Sequence, residues 1–476
     1  MTVADIITVL PLIVIAATAL IIMLLTAFYR CHSLTAILTL TGISLSMAAF
    51  SRSYPFLPRE ISGLLIIDHY SAFYTGLILA AGFVVAALSF GYLEKHDGEH
   101  EEFYVLLLLA ILGSAVLVAS SHFASLFLGL EILSVSLYAL IAYTRGSLNV
   151  EAGIKYLVLA STSAAFLLFG MAMVYSELGT MSFSQILPGL PSARTNFLFA
   201  GITMILVGIG FKLAVVPLHM WTPDVYEGAP APVSAFIATA SKGAVFAFLL
   251  RYFTLVDLQV HYPLFLIFSG IAIASMLTGN LLALMQNNVK RILAYSSISH
   301  IGYILVAFLA GRTYAFTSVT FYLAAYFVTT LGAFGIVTVL SGSERDADMI
   351  DDYQGLAWRR PMLAAVFTAM LLSLAGIPLT AGFIGKFYII RAGTGSALWM
   401  LVLILVLNSA IGLFYYLRVI VSMFMKPAEG ENAAYSAKIS YTDRAALAVL
   451  TILLLWLGVY PSFFIDVVRT VGRKFV

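Results

Sequence analysis

The sequence predicts an all-α polytopic membrane protein of about fourteen transmembrane helices, and three observations predict it. The 476 residues are 62% hydrophobic and only 10% charged, too few charges to build a water-facing shell around a soluble domain. Apolar runs of spanning length, roughly 20 residues, follow one another from residue 5 to residue 468 with short polar connectors between them. One proline-interrupted apolar phrase, Leu213-Ala214-Val215-Val216-Pro217-Leu218, returns as Leu374-Ala375-Gly376-Ile377-Pro378-Leu379.

Taken in order, the spans are read at 5–28, 34–51, 67–93, 103–119, 122–142, 154–176, 197–220, 231–253, 262–285, 289–310, 313–341, 361–391, 396–424 and 443–467. The first runs from Asp5 into a long apolar segment with no charged leader region or small-residue cleavage site, so it reads as a retained span. Between spans the chain carries water-seeking text: the acidic and histidine-rich Glu94 to Glu102, a turn around Pro188 and Pro191, the cluster from Ser341 to Arg360, and Lys426 to Tyr441. None of these is long enough for a soluble domain, which leaves a single membrane domain. Placing both termini outside puts about twelve Lys and Arg on inner connectors against about nine on outer ones, a small bias in the direction of the positive-inside rule.

The net charge of +2 points to neither nucleic acid nor an acidic substrate. Cys31 is the single cysteine, which excludes an internal disulfide and any cysteine-based iron-sulfur or zinc site on this chain. Gly-x-Gly-x-x-Gly and Walker-type loops are absent, so no recognised phosphate cradle for a dinucleotide or ATP is present.

The repeated phrase falls in the seventh and twelfth spans, five apart. An odd offset threads the second copy through the bilayer in the opposite sense, as in inverted-repeat transporters. Proline has no N–H to give and clashes with the carbonyl four residues earlier, so Pro217 should free the carbonyl of Leu213 and Pro378 that of Leu374. Irregular backbone at membrane depth is tolerated only against protein or a hydrated cavity. A matched pair of broken helices is therefore a pointer to an ion path, although a single proline can also be a plain packing kink.

Four charges stand inside apolar spans: Glu131, Lys212, Lys242 and Lys386. At about 1.5 Å per residue, Glu131 lies about 13 Å from either end of its span and Lys242 about 15 Å beyond Pro232. A charge there costs at least about 2.5 kcal/mol, so such residues face a bundle interior or water and mark function by default. Burial disfavours a charged lysine and a nearby carboxylate restores it, which allows a change of protonation near neutral pH. The expected relay runs from Glu131 paired with Lys212, through Lys242, to Lys386. His219, just beyond the proline break, and His300, deep in the tenth span, are possible further members because histidine titrates near neutral pH unaided. The competing reading makes Glu131 and Lys212 a static ion pair and the histidines satisfied buried groups. Asp224 and Glu227 read as anchors of a connector, and Asp68, Arg251 and Arg391 as interface anchors.

These residues carry a family resemblance. The stretch from Lys212 through Pro217-Leu218-His219-Met220-Trp221-Thr222-Pro223-Asp224-Val225-Tyr226-Glu227-Gly228-Ala229-Pro230 resembles the signature of the antiporter-like membrane subunits of NADH-quinone oxidoreductase, respiratory complex I. Its Asp-Val-Tyr-Glu-Gly-Ala-Pro form is similar to the subunit N branch. Asn288 to Tyr303 and Ala375 to Phe387 also match, and the resemblance spans about residues 60 to 465. It implies fourteen helices with N-terminal helices in 1–102, five-helix inverted repeats in 103–253 and 262–424, and a last helix in 443–476, with broken helices 7 and 12. It further implies a proton channel whose key charges are Glu131, Lys212, Lys242 and Lys386, in a bacterial inner membrane, where the charge bias above puts both termini on the periplasmic side. Lysine at 386 fits subunit N and not the subunit that carries an acid there. By resemblance the partners are other membrane subunits and a peripheral arm, and NADH, FMN, iron-sulfur clusters and quinone belong to those partners, with no cofactor or metal on this chain. Two alternatives remain open: an Mrp-type cation/proton antiporter, and a non-pumping structural membrane subunit.

Overall fold

In hydrocarbon every backbone N–H and C=O must be paired within its own segment, so a lone apolar run resolves as a helix. The computed structural model describes residues 2–189, 196–253, 262–426 and 439–475, and it is a bundle of long helices. Among the described residues thirteen helices are long and apolar enough to cross a membrane, from Val3–Phe28 to Tyr441–Val459. The remaining expected crossing is divided into Pro361–Ala375 and Ala381–Gly395.

Helix starts follow capping chemistry. Thr2 and Asp5 form a reciprocal capping box at Val3–Phe28, Asp68 and Ser71 do the same at His69–Leu93, and the Asn288 side chain accepts from the Arg291 N–H at the start of Val289–Leu309. Ser147–Leu178 stops at Gly179, whose φ of 65° is the left-handed cap that glycine adopts without strain. Ala231–Tyr252, Val289–Leu309 and Tyr314–Leu340 are buried along nearly their whole length and form the centre, whereas Val3–Phe28 presents most of its surface outward.

Several expected boundaries need correction. The seventh span, expected at 197–220, is helical only over Asn196–Leu213, and the chain resumes as a short helix, Trp221–Gly228. The twelfth, expected as 361–391, is interrupted after Ala375 and extends to Gly395. The last, expected to 467, ends at Val459, because Pro461 cannot continue it, and a separate amphipathic helix Ser462–Phe475 comes after it. A small antiparallel hairpin, Arg59–Ile61 with Leu65–Ile67, stands in the connector after the second span, too short to leave a pattern in the sequence. Pro191 of the expected turn and most of the connector 426–441 lie outside the described residues.

Arg59 of that hairpin pairs with Asp5 at 2.5 Å, and Lys474 lies 3.4 Å from the Tyr54 hydroxyl and 3.3 Å from His69. The two ends of the chain thus meet the same connector at one face of the bundle.

Candidate functional site

Each broken or distorted helix carries one lysine. Asn196–Leu213 closes when Ala214 turns into the left-handed region, φ 59°, and the Val215 N–H reaches back to the Gly210 carbonyl at 3.1 Å. Lys212 therefore sits in the last turn, 6% exposed. Its Nζ donates to Ser134 Oγ at 2.6 Å and stands 5.2 Å from the Tyr156 ring centre. The indole N–H of Trp221 ties the chain beyond the break to the Phe211 carbonyl at 2.9 Å.

Glu131 precedes Ser134 by one turn of Phe123–Ile141. It is half-buried, flanked on its helix by the exposed Leu128 and Val135, at the rim between the packed and the outer face. The expected ion pair with Lys212 is not formed: among the described residues no carboxylate lies within 4.0 Å of the Lys212 ammonium, and Ser134 takes that position. Glu131 makes no hydrogen bond or ion pair to Lys212 among the described residues.

Lys242 comes directly after a turn of π-helix, Ile237–Ser241, inserted between Ala231–Phe236 and Lys242–Phe253. A π turn adds a residue to the helix and re-aims the side chains beyond it, a device common at functional sites. Lys242, 1% exposed, donates to Ser297 Oγ at 2.7 Å and lies 5.2 Å from the Tyr226 ring centre. His219, in the break after Leu213, is buried, with Nδ1 lacking a partner among the described residues and Lys242 within electrostatic range.

His300 lies one turn beyond Ser297 on Val289–Leu309. Its Nδ1 meets the Tyr322 hydroxyl at 2.7 Å and its Nε2 the Tyr416 hydroxyl at 3.4 Å; that hydroxyl also bonds Ser296. Tyr303, a further turn on, places its ring centre 5.2 Å from the ammonium of Lys386. Lys386 is buried in Ala381–Gly395 and donates to the carbonyls of Leu374 (2.9 Å) and Ala375 (2.7 Å) and to Ser409 Oγ (2.8 Å). Gly376 makes room for it: φ is 89°, and a Cβ there would stand 2.7 Å from Lys386 Cδ. Asn280 completes the wall, donating to Tyr303 at 2.9 Å and accepting from Tyr415 at 3.0 Å.

Ser297, His300 and Tyr303, on successive turns of one buried helix, thus face Lys242 at one end and Lys386 at the other, and Lys212 with Glu131 is a separate group not hydrogen-bonded to them. Ser134, Tyr156, Ser297, Tyr322, Tyr416 and Ser409 escaped the sequence reading. The signal for some of them was visible as Tyr295-Ser296-Ser297 through Tyr303, a polar run inside an apolar span.

The connector reading of Asp224 and Glu227 fits their geometry: Arg291 bridges them at 2.9 and 2.6 Å, and Lys155 adds 2.8 Å to Asp224. Burial raises the Asp224 carboxyl, and the bonds from Lys155 and Arg291 outweigh it, leaving it below its ordinary value. Arg391 is exposed as expected. Asp68 and Arg251 are not interface anchors. They form a two-point ion pair at 2.9 and 2.7 Å with Arg251 only 3% exposed, because residues 242–252 are all buried in the bundle. Among the described residues no group of three or more His, Cys, Asp or Glu could hold a metal ion.

The NADH:quinone oxidoreductase/Mrp antiporter membrane family model matches residues 120–412. NADH-quinone oxidoreductase subunit N of Nitrosospira multiformis is 52% identical over 488 residues, covering 98% of this chain and 96% of that one. The chain belongs to the subunit N family of NADH-quinone oxidoreductases. A chain of respiratory complex I from Thermus thermophilus superposes with a TM-score of 0.82 at 30% identity, covering 96% of this chain and 98% of its own. A chain of the Mrp complex from Dietzia, at 20% identity, shares the fold with a TM-score of 0.87 over 100% of this chain and 98% of its own. In this member of the subunit N family the matched region holds Glu131, Lys212, His219, Lys242, His300 and Lys386 together with both proline breaks.

Proposed function

We propose that this chain relays protons within the membrane part of an NADH-quinone oxidoreductase. Glu131, Lys212, Lys242 and Lys386 gain and lose the protons, and His219 and His300 serve as intermediate carriers. One observation carries the reading: three buried lysines at bilayer depth hang on hydroxyls, aromatic faces and main-chain carbonyls, with no carboxylate within ion-pairing distance among the described residues. A static structural ion pair would supply that carboxylate, because breaking up a buried pair is costly. A proton held by neutral partners can be handed on.

Glu131 at the rim of the bundle suits a lateral entry, and Lys242, Ser297, His300, Tyr303 and Lys386 mark out the inner stretch. Among the described residues no chain of hydrogen-bonded side chains joins Lys212 to Lys242, so in this reading water completes that step, with His219 beside it. The repeats are assigned to 103–253 and 262–424, and both termini to the periplasmic side of a bacterial inner membrane. NADH oxidation and quinone reduction, with FMN and iron-sulfur clusters, are assigned to partner subunits, since the relatives are named as a subunit of that oxidoreductase and the Thermus chain comes from respiratory complex I.

The test is to reconstitute the intact complex in proteoliposomes and record NADH oxidation and proton uptake together. Lys212→Ala and Lys386→Ala should lower the protons moved per NADH while the complex still assembles. An unchanged ratio would return the buried charges to a structural role, and a sodium-dependent pH gradient would favour the Mrp-type alternative.

A further inference from the structure

An open groove of about 860 Å³ runs between Pro361–Ala375 and Tyr441–Val459, away from the buried lysines. Met362, Val366, Leu447, Ala448 and Ile452 give it apolar walls, and Arg360 and Arg444 both line it. Arg444 opens the first turn of its helix and Arg360 immediately precedes the other. From Arg444 to Ile452 is eight residues, about 12 Å of helix, close to one leaflet of a hydrocarbon core roughly 30 Å thick.

Two aromatic residues fix the depth of the charged end. Trp358 is 67% exposed and Tyr441 87%, and the Arg444 guanidinium lies 5.8 Å from the Tyr441 ring centre. Exposed Trp and Tyr beside arginines at helix starts belong at headgroup level. The neighbouring acid, Asp443, is buried and turned the other way: a Cβ on Gly91 would meet its Oδ2 at 2.7 Å.

We infer that this groove holds one anionic phospholipid, its phosphate between Arg360 and Arg444 and an acyl chain along the walls below. A guanidinium matches phosphate oxygens at two points, and two of them over an apolar slot one leaflet deep match a lipid better than a partner helix. A spanning helix would need a groove of twice the depth.

The intact complex, purified in detergent, is exchanged against mixed micelles of equimolar phosphatidylglycerol and phosphatidylethanolamine, and the bound lipid is counted by mass spectrometry. The native complex should retain one more phosphatidylglycerol than the Arg360→Gln/Arg444→Gln variant, whose preference should fall roughly tenfold or more. Ala448→Trp, which fills the slot and keeps both arginines, should lose the same lipid. NADH oxidation by each variant complex reports that it is folded and assembled. Equal retention of the two lipids by the native complex overturns the proposal, as does an undiminished preference in the double variant. So does a photo-crosslinker at position 448 that captures a neighbouring polypeptide instead of lipid.

Discussion

The ammonium of Lys386 donates, at 2.9 Å, to the carbonyl of Leu374, one of the carbonyls left without a helical partner where Pro361–Ala375 ends at the left-handed Gly376. The same lysine also caps the Ala375 carbonyl. The break in Pro361–Ala375 therefore has its own internal donor, and the residue proposed to carry protons also holds the broken backbone together.

Lys386→Leu should accordingly cost stability as well as pumping. Leaving buried carbonyls unsatisfied costs about 1–3 kcal/mol. Lys386→Arg, which keeps donors beside the two carbonyls, should retain more of the thermal stability than Lys386→Leu while its permanently charged guanidinium still blocks proton movement. Differential scanning fluorimetry of the assembled complex, run beside the pumping assay, checks both.

Ser297→Ala removes the hydroxyl that receives the Lys242 ammonium at 2.7 Å. Proton movement per NADH should drop while Ser297→Thr keeps it near the native level, and thermal stability should change by no more than about 3 kcal/mol. Equal ratios for Ala and Thr would remove Ser297 from the path.

At His300, Tyr322→Phe leaves Nδ1 without its 2.7 Å partner. Pumping should slow and its pH profile shift, whereas Tyr353→Phe, a buried tyrosine bonded to the Ala347 carbonyl outside the path, should leave the profile where it is. The pH dependence of proton uptake in the two variants separates these outcomes.

The connector around Asp224 offers a pH test with a definite sign. The Asp224 carboxyl lies below its ordinary value in the folded chain, so its contribution is full above about pH 4 and is lost as pH falls through the folded value. Amide exchange across Trp221–Gly228 should therefore show the same protection from about pH 5 to 8 once intrinsic rates are corrected. In Asp224→Asn, protection should be lower throughout that range.

Asp68→Ala should be the most destabilising of these changes, by about 3–5 kcal/mol, because it takes both carboxylate contacts from a guanidinium buried at 3% exposure. Asp68→Ala with Arg251→Met should recover much of the loss, as measured by thermal melts.

Much of this is legible in the amino-acid sequence alone. Span count, both proline breaks and the buried lysines come from hydropathy, the chemistry of proline and the rarity of charge in hydrocarbon, and each is local in the chain. What each lysine touches is not local. Glu131 and Ser134 are one turn apart, and only the rotation of Phe123–Ile141 against Asn196–Leu213 decides which of them meets Lys212. The π turn before Lys242 likewise has no signature in Ile237-Ala238-Thr239-Ala240-Ser241, since those residues suit an ordinary helix equally well. Arg251 misled for a related reason: its position near the end of an apolar run suggested a surface, and only packing shows the residue to be interior.

Val289–Leu309 serves both ends of the inner stretch, through Ser297 toward Lys242 and through Tyr303 toward Lys386. Its start is also bolted down, by Lys290 to Asp346 at 2.6 Å and by Asn288 to Asp348 at 2.7 Å. A stiff rod shared in this way behaves as a common axle: any slide or roll changes both lysine contacts in the same instant. If the relay runs as proposed, loading at one end is expected to be felt at the other, and a fault in the bolts at Lys290 or Asn288 should put both ends out of step at once.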